Sequence, residues 1–228
     1  MELQRWEKGL AFAAAASLVA TMYAALLWAP TEATMGDIQR IFYVHVPSAW
    51  TAFLAFFFVF LAGIAYLATK NLKWDRIALA CAEIGTIFCT VVLITGPIWA
   101  KPVWGIWWTW DARLTSTLIL WLMYVSYLLL RDFLDEPARR ATLSAVFGIF
   151  AFVDVPVVYV SIRLWRTQHP QPVLGGGEES GLDPQMFQVL MLSWVTFTII
   201  AVLLVMLRIN LERSRAEVQQ LRRAVMLQ

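Results

Sequence analysis

Long runs of apolar residues dominate the pattern along the chain. Six runs of 17–22 residues lie near 10–29, 48–69, 77–97, 114–130, 141–162 and 186–207. Apolar and polar residues do not alternate with a period of two in these runs, so the runs predict helices rather than strands. A helix of about 20 apolar residues can cross the roughly 30 Å hydrocarbon core of a bilayer. The pattern predicts an all-α, polytopic membrane helix bundle with six transmembrane helices.

Composition agrees with this fold class. Apolar residues make up 60% of the chain and charged residues 15%, whereas a soluble domain averages about 45–50% apolar residues. The first run follows Arg5 and Lys8, as the core of a signal peptide would. It is long for such a core, however, and no clean small-x-small cleavage site follows it. We expect it to remain as a helix.

Basic residues are concentrated in alternate connections. Of the 18 Lys and Arg residues, 13 lie in the N-terminal segment, loops 70–76 and 131–140, and the C-terminal end. The positive-inside rule therefore predicts that both termini are cytoplasmic and that the other three loops face outward. The domain prediction is a six-span membrane domain over 1–209 and a cytoplasmic basic tail over 210–228. The tail has apolar residues at heptad-like positions, which favour a helix on the membrane surface over a nucleic-acid arm: Leu211, Val218, Leu221 and Val225.

The first outward loop, 30–47, contains His45, one of only two histidines in the chain. Thr34 followed by Asp37 resembles a helix N-cap, and apolar residues then recur at helical spacing up to His45. This predicts a short interfacial helix with His45 on its apolar face, and Pro47 suits the first turn of the next span. An interfacial histidine without a ligand is the simpler alternative. The other histidine, His169, is predicted on the same side of the membrane, which favours a shared site.

The second outward loop, 98–113, is rich in tryptophan. Five of the chain's twelve tryptophans lie between Trp99 and Asp111, in a stretch interrupted by Pro102 and Gly105. An aromatic belt or local packing explains a few interfacial tryptophans, but this density exceeds what anchoring needs. Indole rings offer broad, rigid apolar surfaces with an N–H at one edge. Together with two imidazoles, they predict a site for a flat ligand with a metal at its centre.

The third outward loop, 163–185, carries His169 and two arginines, Arg163 and Arg166. The glycines 175–177 and the acids Glu178 and Glu179 follow. This flexible acidic stretch is predicted either to contact another protein or to be a solvated loop.

Two acids lie within predicted spans, where insertion costs roughly 2.5–3.5 kcal/mol. For both Glu83 and Asp154, an interhelical hydrogen bond and a proton relay are open alternatives. Pro156 predicts a kink beside Asp154. Cys81 and Cys89 form no C-x-x-C, which argues against thiol redox chemistry, and no C-x-x-C-H, which argues against covalent haem on this chain.

The tryptophan run resembles the W-G-x-x-W-x-W-D signature of haem-handling membrane proteins, here Trp104 to Asp111. Three further stretches resemble the haem exporter protein C (CcmC) family of cytochrome c maturation: His45 to Trp50, Asp111 to Ser116, and Arg166 to His169. The number of spans and the single histidine in each flanking outward loop also match this family. The resemblance covers nearly the whole chain.

The resemblance implies that haem, bound non-covalently as a transient cargo, is held at the outer face of the bacterial inner membrane. His45 and His169 would be the axial iron ligands, with four tryptophans flanking the porphyrin: Trp99, Trp104, Trp108 and Trp110. Arg113 and Arg40 are the main candidates for the propionates, and Lys101 and Arg166 are weaker ones. Asp111 is expected to order the loop through indole or backbone N–H groups rather than to touch the iron.

By the same resemblance, the chain presents haem to a periplasmic haem chaperone (CcmE). It would assemble with an ABC-type ATPase and permease pair (CcmA and CcmB) and a small one-span subunit (CcmD). The sequence has no G-x-x-x-x-G-K phosphate-binding motif, so it predicts a protein that holds and transfers haem, not an enzyme.

The main alternative is a bis-histidine b-type cytochrome subunit for electron transfer, which usually places both ligands on helices within the bilayer. A zinc hydrolase would lack ligands, since the chain has two histidines and no H-E-x-x-H. A channel has no evident need for clustered indoles.

Overall fold

The structure, a computed structural model, describes residues 4–165, 167–169 and 181–226. The described part contains seven α-helices: α1 Arg5–Tyr23, α2 Phe42–Thr69, α3 Leu72–Trp104, α4 Ala112–Asp132, α5 Pro137–Phe152, α6 Asp154–Leu164 and α7 Pro184–Met226. A π-helical turn, Ala24–Trp28, extends α1, and a 3₁₀-helix, Asp37–Ile41, leads into α2. With α5 and α6 forming one span, six helical segments are long and apolar enough to cross a membrane, which confirms the predicted fold class.

The core of the bundle is centred on the contact between α2 and α3. A Cβ atom at Gly85 of α3 would lie only 2.6 Å from Cε1 of Phe56 on α2, so the missing side chain allows the two helices to approach closely. Phe56 is fully buried and stacks on Tyr124 of α4, with ring centroids 3.6 Å apart. Three helices therefore meet at one aromatic pair.

The fifth span is interrupted at Val153, between α5 and α6. Pro156 has no N–H to donate to the carbonyl of Phe152, four residues earlier, and its ring crowds that carbonyl. The interruption therefore lies where Pro156 predicts a kink. Asp154 lies at the break, and its Oδ2 is buried without a hydrogen-bond partner among the described residues.

Ion pairs connect the helices towards the end where α3 begins. Arg131 of α4 donates to both carboxylate oxygens of Asp75, at 2.6 and 2.8 Å. Arg208 of α7 donates to both oxygens of Glu83 and also pairs with Glu212. Glu83 therefore makes the interhelical hydrogen bond that was one of its two predicted roles.

Helix α1 packs mainly on α7 and is tied to it by polar contacts at three levels. Thr21 and Thr196 share a buried hydrogen bond of 2.8 Å between their hydroxyls, and Asn210 donates to Glu7. At the far end, Gln185 Nε2 donates to the carbonyl of Trp28 at 2.7 Å.

The C-terminal tail is a continuation of α7, which runs without a break to Met226. The tail is therefore helical, as predicted, and nothing between 207 and 213 separates it from the transmembrane part of α7. The heptad-like apolar residues are exposed along this extension. The acidic stretch 175–179 and Arg166 lie outside the described residues.

Candidate functional site

The candidate site lies at the end of the bundle where α2 and α4 begin and α3 and α6 end. His45 occupies the first turn of α2, and not a loop, because the short 3₁₀-helix continues directly into α2. The predicted N-cap at Thr34 is wrong: the carboxylate of Glu32 accepts the backbone N–H groups of Thr34 and Met35. The 3₁₀-helix begins only after Gly36, at a φ of 60° that glycine adopts without strain.

The imidazole of His45 is fixed between α2 and α3. The residue is only 8% exposed, and its Nδ1 lies 2.9 Å from the hydroxyl oxygen of Thr95. Its ring meets the indole of Trp99 edge to face, with centroids 5.8 Å apart. Two side chains of α3 therefore determine the orientation of this ring.

The predicted loop 98–113 is helical over its first part, since α3 continues to Trp104. Pro97 and Pro102 lie inside this helix without ending it. Gly105 ends it instead, in a left-handed conformation (φ 77°), and donates its N–H to the carbonyl of Lys101 at 3.0 Å. Trp99 and Trp104 are consequently helix residues, and only the three later tryptophans of the run lie in the connection to α4.

The indoles of the run have different environments. Trp99 is half-buried against Phe42 and His45, and Trp104 is half-buried at the last residue of α3. Trp108 meets Trp110 edge to face at 5.7 Å, and Trp110 is 75% exposed. The Nε1 atoms of Trp99 and Trp108 are buried without a partner among the described residues. The rings form separate apolar faces rather than one continuous stack.

Asp111 is the N-cap of α4. Its Oδ1 accepts the backbone N–H groups of Arg113 and Leu114, at 2.9 and 3.0 Å, and its Oδ2 accepts the hydroxyl of Thr109 at 2.8 Å. Capping satisfies N–H groups that a helix start leaves unpaired. Asp111 thus orders the connection through backbone N–H groups, as expected from the sequence.

The cations proposed for the propionates are in different situations. Arg113 is half-buried, and its Nη1 is a buried donor without a partner in the described part of the chain. Arg40 instead donates to Asp37 and to the carbonyls of Ala25 and Ala29. Lys101 donates to the carbonyl of Gly105 at 2.9 Å. Arg113 therefore has a buried donor that none of the described residues satisfies.

His169 follows α6 on the same end of the bundle and is half-buried. Both His169 and Arg113 lie near enough to His45 to act on it electrostatically. The structure thus brings together four of the predicted site residues: His45, His169, Trp99 and Arg113. The guanidinium of Arg40 instead donates to Asp37 and to the carbonyls of Ala25 and Ala29.

Two residues of the site were not identified from the sequence, Thr95 and Gly96. Thr95 contacts His45, and a Cβ atom at Gly96 would lie 3.4 Å from His45 Cε1. Their only sequence signal is position, since Thr95 precedes Trp99 by one helical turn. A threonine in an apolar helix usually bonds to its own backbone, so this signal is weak.

Comparison with known proteins identifies the family. The model of the family described as "Heme exporter protein C" matches residues 2–224. The chain belongs to this family.

Curated relatives agree with that assignment. The chain is 34% identical to "Heme exporter protein C" of Bradyrhizobium diazoefficiens over 194 residues, covering 85% of this chain and 73% of the relative. It is 31% identical to the Escherichia coli protein of the same name, covering 85% and 80%. It is also 34% identical to a "Putative cytochrome c biosynthesis ccmC-like mitochondrial protein" of Marchantia polymorpha, covering 65% and 62%. With its six spans, this member of the haem exporter protein C family is a multi-pass membrane protein.

Proposed function

We propose that the protein binds haem at the His45 end of the bundle and delivers it to a periplasmic haem chaperone for c-type cytochrome maturation. The observation that carries this proposal is the grouping of a buried, oriented imidazole with a second histidine, an indole and an available guanidinium. Two relatives whose names refer to haem export and one whose name refers to cytochrome c biosynthesis support the same role.

The chemistry of these residues fits a haem. Four positions on haem iron are taken by the porphyrin, so two neutral imidazoles complete the coordination. His45 and His169 would supply them. No three His, Cys, Asp or Glu side chains come together as a cage for a bare ion in the described part of the chain, so a metal that arrives within its own macrocycle suits the site better.

The periphery of a haem carries two propionates, which a guanidinium can bind in a bidentate manner. Arg113 would bind one propionate with its buried, unpaired Nη1. Arg40 stays a second candidate only through donors that Asp37 and the carbonyls of Ala25 and Ala29 leave available. The apolar faces of Trp99, Trp104, Trp108 and Trp110 would flank the ring, and the unpaired Nε1 groups of Trp99 and Trp108 add donors at its edge.

The membrane orientation follows from charge. The Lys and Arg bias of 13 against 5 between the two sets of connections supports cytoplasmic termini and an outward-facing haem site. In a bacterium, the protein would lie in the inner membrane with the site on the periplasmic side.

The partners proposed are a haem chaperone (CcmE), an ABC-type ATPase and permease pair (CcmA and CcmB) and a one-span subunit (CcmD). Because the sequence has no G-x-x-x-x-G-K, the energy for release would come from such an ATPase. The role of this chain is then to hold and hand over haem without catalysing a reaction.

The two proposed ligands, His45 and His169, are held in place by different parts of the structure. His45 is fixed by α2 and by Thr95 of α3, whereas His169 lies beyond the end of α6 in a non-helical segment. A shift of that segment would remove one axial ligand while the other stays in place. A docked chaperone that binds the shifted arrangement more tightly would favour release.

The test is an absorption spectrum of the purified protein loaded with haem, before and after mixing with the chaperone. We expect a low-spin, six-coordinate spectrum that becomes high-spin in His45→Ala and in His169→Ala. The double variant should lose haem and fail to load the chaperone. Chaperone loading that persists in the double variant would refute the ligand assignment.

One observation favours the alternative of a b-type cytochrome. His45 lies on a transmembrane helix and is buried, as the ligands of such cytochromes usually are. His169, however, is not on a helix. Rapid, reversible reduction by a quinol with retention of haem would favour electron transfer, and stoichiometric transfer of haem to the chaperone would favour export.

A further inference from the structure

The hydroxyl of Thr95 has partners on its own helix, the carbonyls of Val91 and, more distantly at 3.5 Å, Val92, and one partner on α2. It lies 2.7 Å from the carbonyl oxygen of Val91 and 2.9 Å from Nδ1 of His45. Two oxygens 2.7 Å apart need a hydrogen between them, and a carbonyl oxygen can only accept. The single hydroxyl hydrogen of Thr95 is therefore directed to Val91. The hydroxyl oxygen is then available to His45 only as an acceptor.

This arrangement determines which nitrogen of His45 carries the proton. A neutral imidazole has one N–H and one unprotonated nitrogen. Since Thr95 accepts, Nδ1 must be the N–H, and Nε2 carries the lone pair. We propose that Thr95 is a positioning residue that holds His45 in the Nδ1–H tautomer, with Nε2 directed towards the ligand; this rests on the proposed haem-binding role of His45.

The packing around the ring agrees with this direction. The Nδ1–Cε1 edge of the ring faces α3, because a Cβ atom at Gly96 would lie 3.4 Å from Cε1 and 4.0 Å from Nδ1. Trp99 meets the ring edge to face. No hydrogen bond to Nε2 is present within the described residues. The ring is therefore held on its Nδ1 side and available on its Nε2 side.

The orientation has a chemical consequence for iron. A metal binds histidine through an unprotonated nitrogen, and a hydrogen bond from the other N–H makes the imidazole a more basic ligand. If Thr95 instead donated to Nδ1, the proton would reside on Nε2 and block coordination from that side. Thr95 thus prepares His45 to receive haem before haem arrives.

The tautomer can be measured on the full-length protein without haem. Protein labelled with ¹⁵N-histidine in lipid nanodiscs has two histidines to resolve by two-bond ¹H–¹⁵N correlation, and His169→Asn assigns them. We expect the Nδ1–H tautomer for His45 in the unaltered protein and in Thr95→Ser, and a population of Nε2–H in Thr95→Val. An Nε2–H tautomer in the unaltered protein, or no change in Thr95→Val, would overturn the proposal.

Thr86 provides a matched control on the same helix. Its hydroxyl makes the same bond to the carbonyl four residues earlier, Ala82, at 2.7 Å, and it does not contact His45. Thr86→Val should leave the His45 resonances and haem affinity unchanged. Thr95→Val should lower haem affinity about 10- to 100-fold, the effect typical of removing an outer hydrogen-bond partner of a metal ligand, and Thr95→Ser should restore it.

The experiments distinguish failure of the haem-binding role of His45 from failure of the positioning role of Thr95. A haem spectrum that does not change in His45→Ala would refute the haem role of His45, whatever tautomer the cargo-free protein shows. A spectrum that changes in His45→Ala, with tautomer and affinity unaffected in Thr95→Val, would refute only the role of Thr95.

Discussion

Arg131 and Asp75 form a two-point ion pair that joins α4 to α3 at the end of the bundle opposite His45. Both side chains are less than a tenth exposed, and the two N–O distances are 2.6 and 2.8 Å. Arg131 also lies over the ring of Tyr127, 5.9 Å from its centroid. The pair is therefore surrounded by protein, and neither charge has water as a ready substitute for its partner.

Removing one member of this pair should destabilise the protein strongly. Asp75→Ala leaves an uncompensated buried guanidinium, which typically costs about 3–5 kcal/mol. The free energy of unfolding, measured with denaturant in mixed micelles, should fall by that amount. Arg215→Ala is the control, because Arg215 is 60% exposed in its pair with Glu212 and such pairs contribute about 0–1 kcal/mol. Equal stability of the two variants would contradict this prediction.

Removing the charge of Asp154 should raise the stability of the protein, whereas removing that of Asp75 lowers it. Its Oδ2 is buried without a partner among the described residues, so a charged carboxylate there is desolvated without compensation. Asp154→Asn keeps the volume and removes the charge, and it should stabilise the protein by an amount on the order of 1 kcal/mol. A loss of stability in the same unfolding assay would show instead that the carboxylate is paired. A loss of haem transfer without a loss of stability would favour the proton-relay role.

Gly85 should not tolerate a methyl group. Gly85→Ala places a Cβ 2.6 Å from Cε1 of Phe56, a ring held in place by its stack on Tyr124. Overpacking of this kind costs about 1–3 kcal/mol. Gly9→Ala in α1 meets nothing within 4 Å and should stabilise by up to about 1 kcal/mol, because alanine favours helix. A melting temperature that does not fall in Gly85→Ala would contradict the close approach of α2 and α3.

Arg113→Gln should weaken the binding of haem through its propionates. A hydrogen bond to a charged group contributes about 1.5–3 kcal/mol, or roughly tenfold to a hundredfold in affinity. Haem dimethyl ester, which has no propionate charge, should bind the variant and the unaltered protein about equally well. Arg40→Gln is the matched comparison, since Arg40 already pairs with Asp37. An Arg113→Gln effect of equal size with the ester would contradict propionate binding.

The six spans were predictable because apolar length alone defines a membrane helix. Helix ends were less predictable. Pro102 is a helix breaker in general, yet α3 continues through it to Trp104, as it does through Pro97. Pro156 lies in the first turn of α6, directly after the interruption at Val153, so a break is found where its ring predicted a kink.

The site was predictable in its residue types and only partly in its contacts. Two histidines on one side of the membrane indicated a shared site, and His45 and His169 do lie within electrostatic range. The contact between His45 and Thr95 joins residues 50 positions apart, which no local pattern reports. Arg40 and Arg113 looked equivalent in sequence. Their roles are separated by the carboxylate of Asp37 and by the carbonyls of Ala25 and Ala29, which all accept from Arg40.

The polar contacts between α1 and α7 have a consequence for biosynthesis. Thr21 and Thr196, whose hydroxyls bond to each other, are 175 residues apart, and four other spans are translated between them. Helix α1 is therefore inserted into the bilayer long before α7, the helix it packs on, has been synthesised. We expect α1 to remain at the edge of the partly assembled bundle until α7 is inserted. The packing of α1 on α7 should therefore form last, after the finished chain is released.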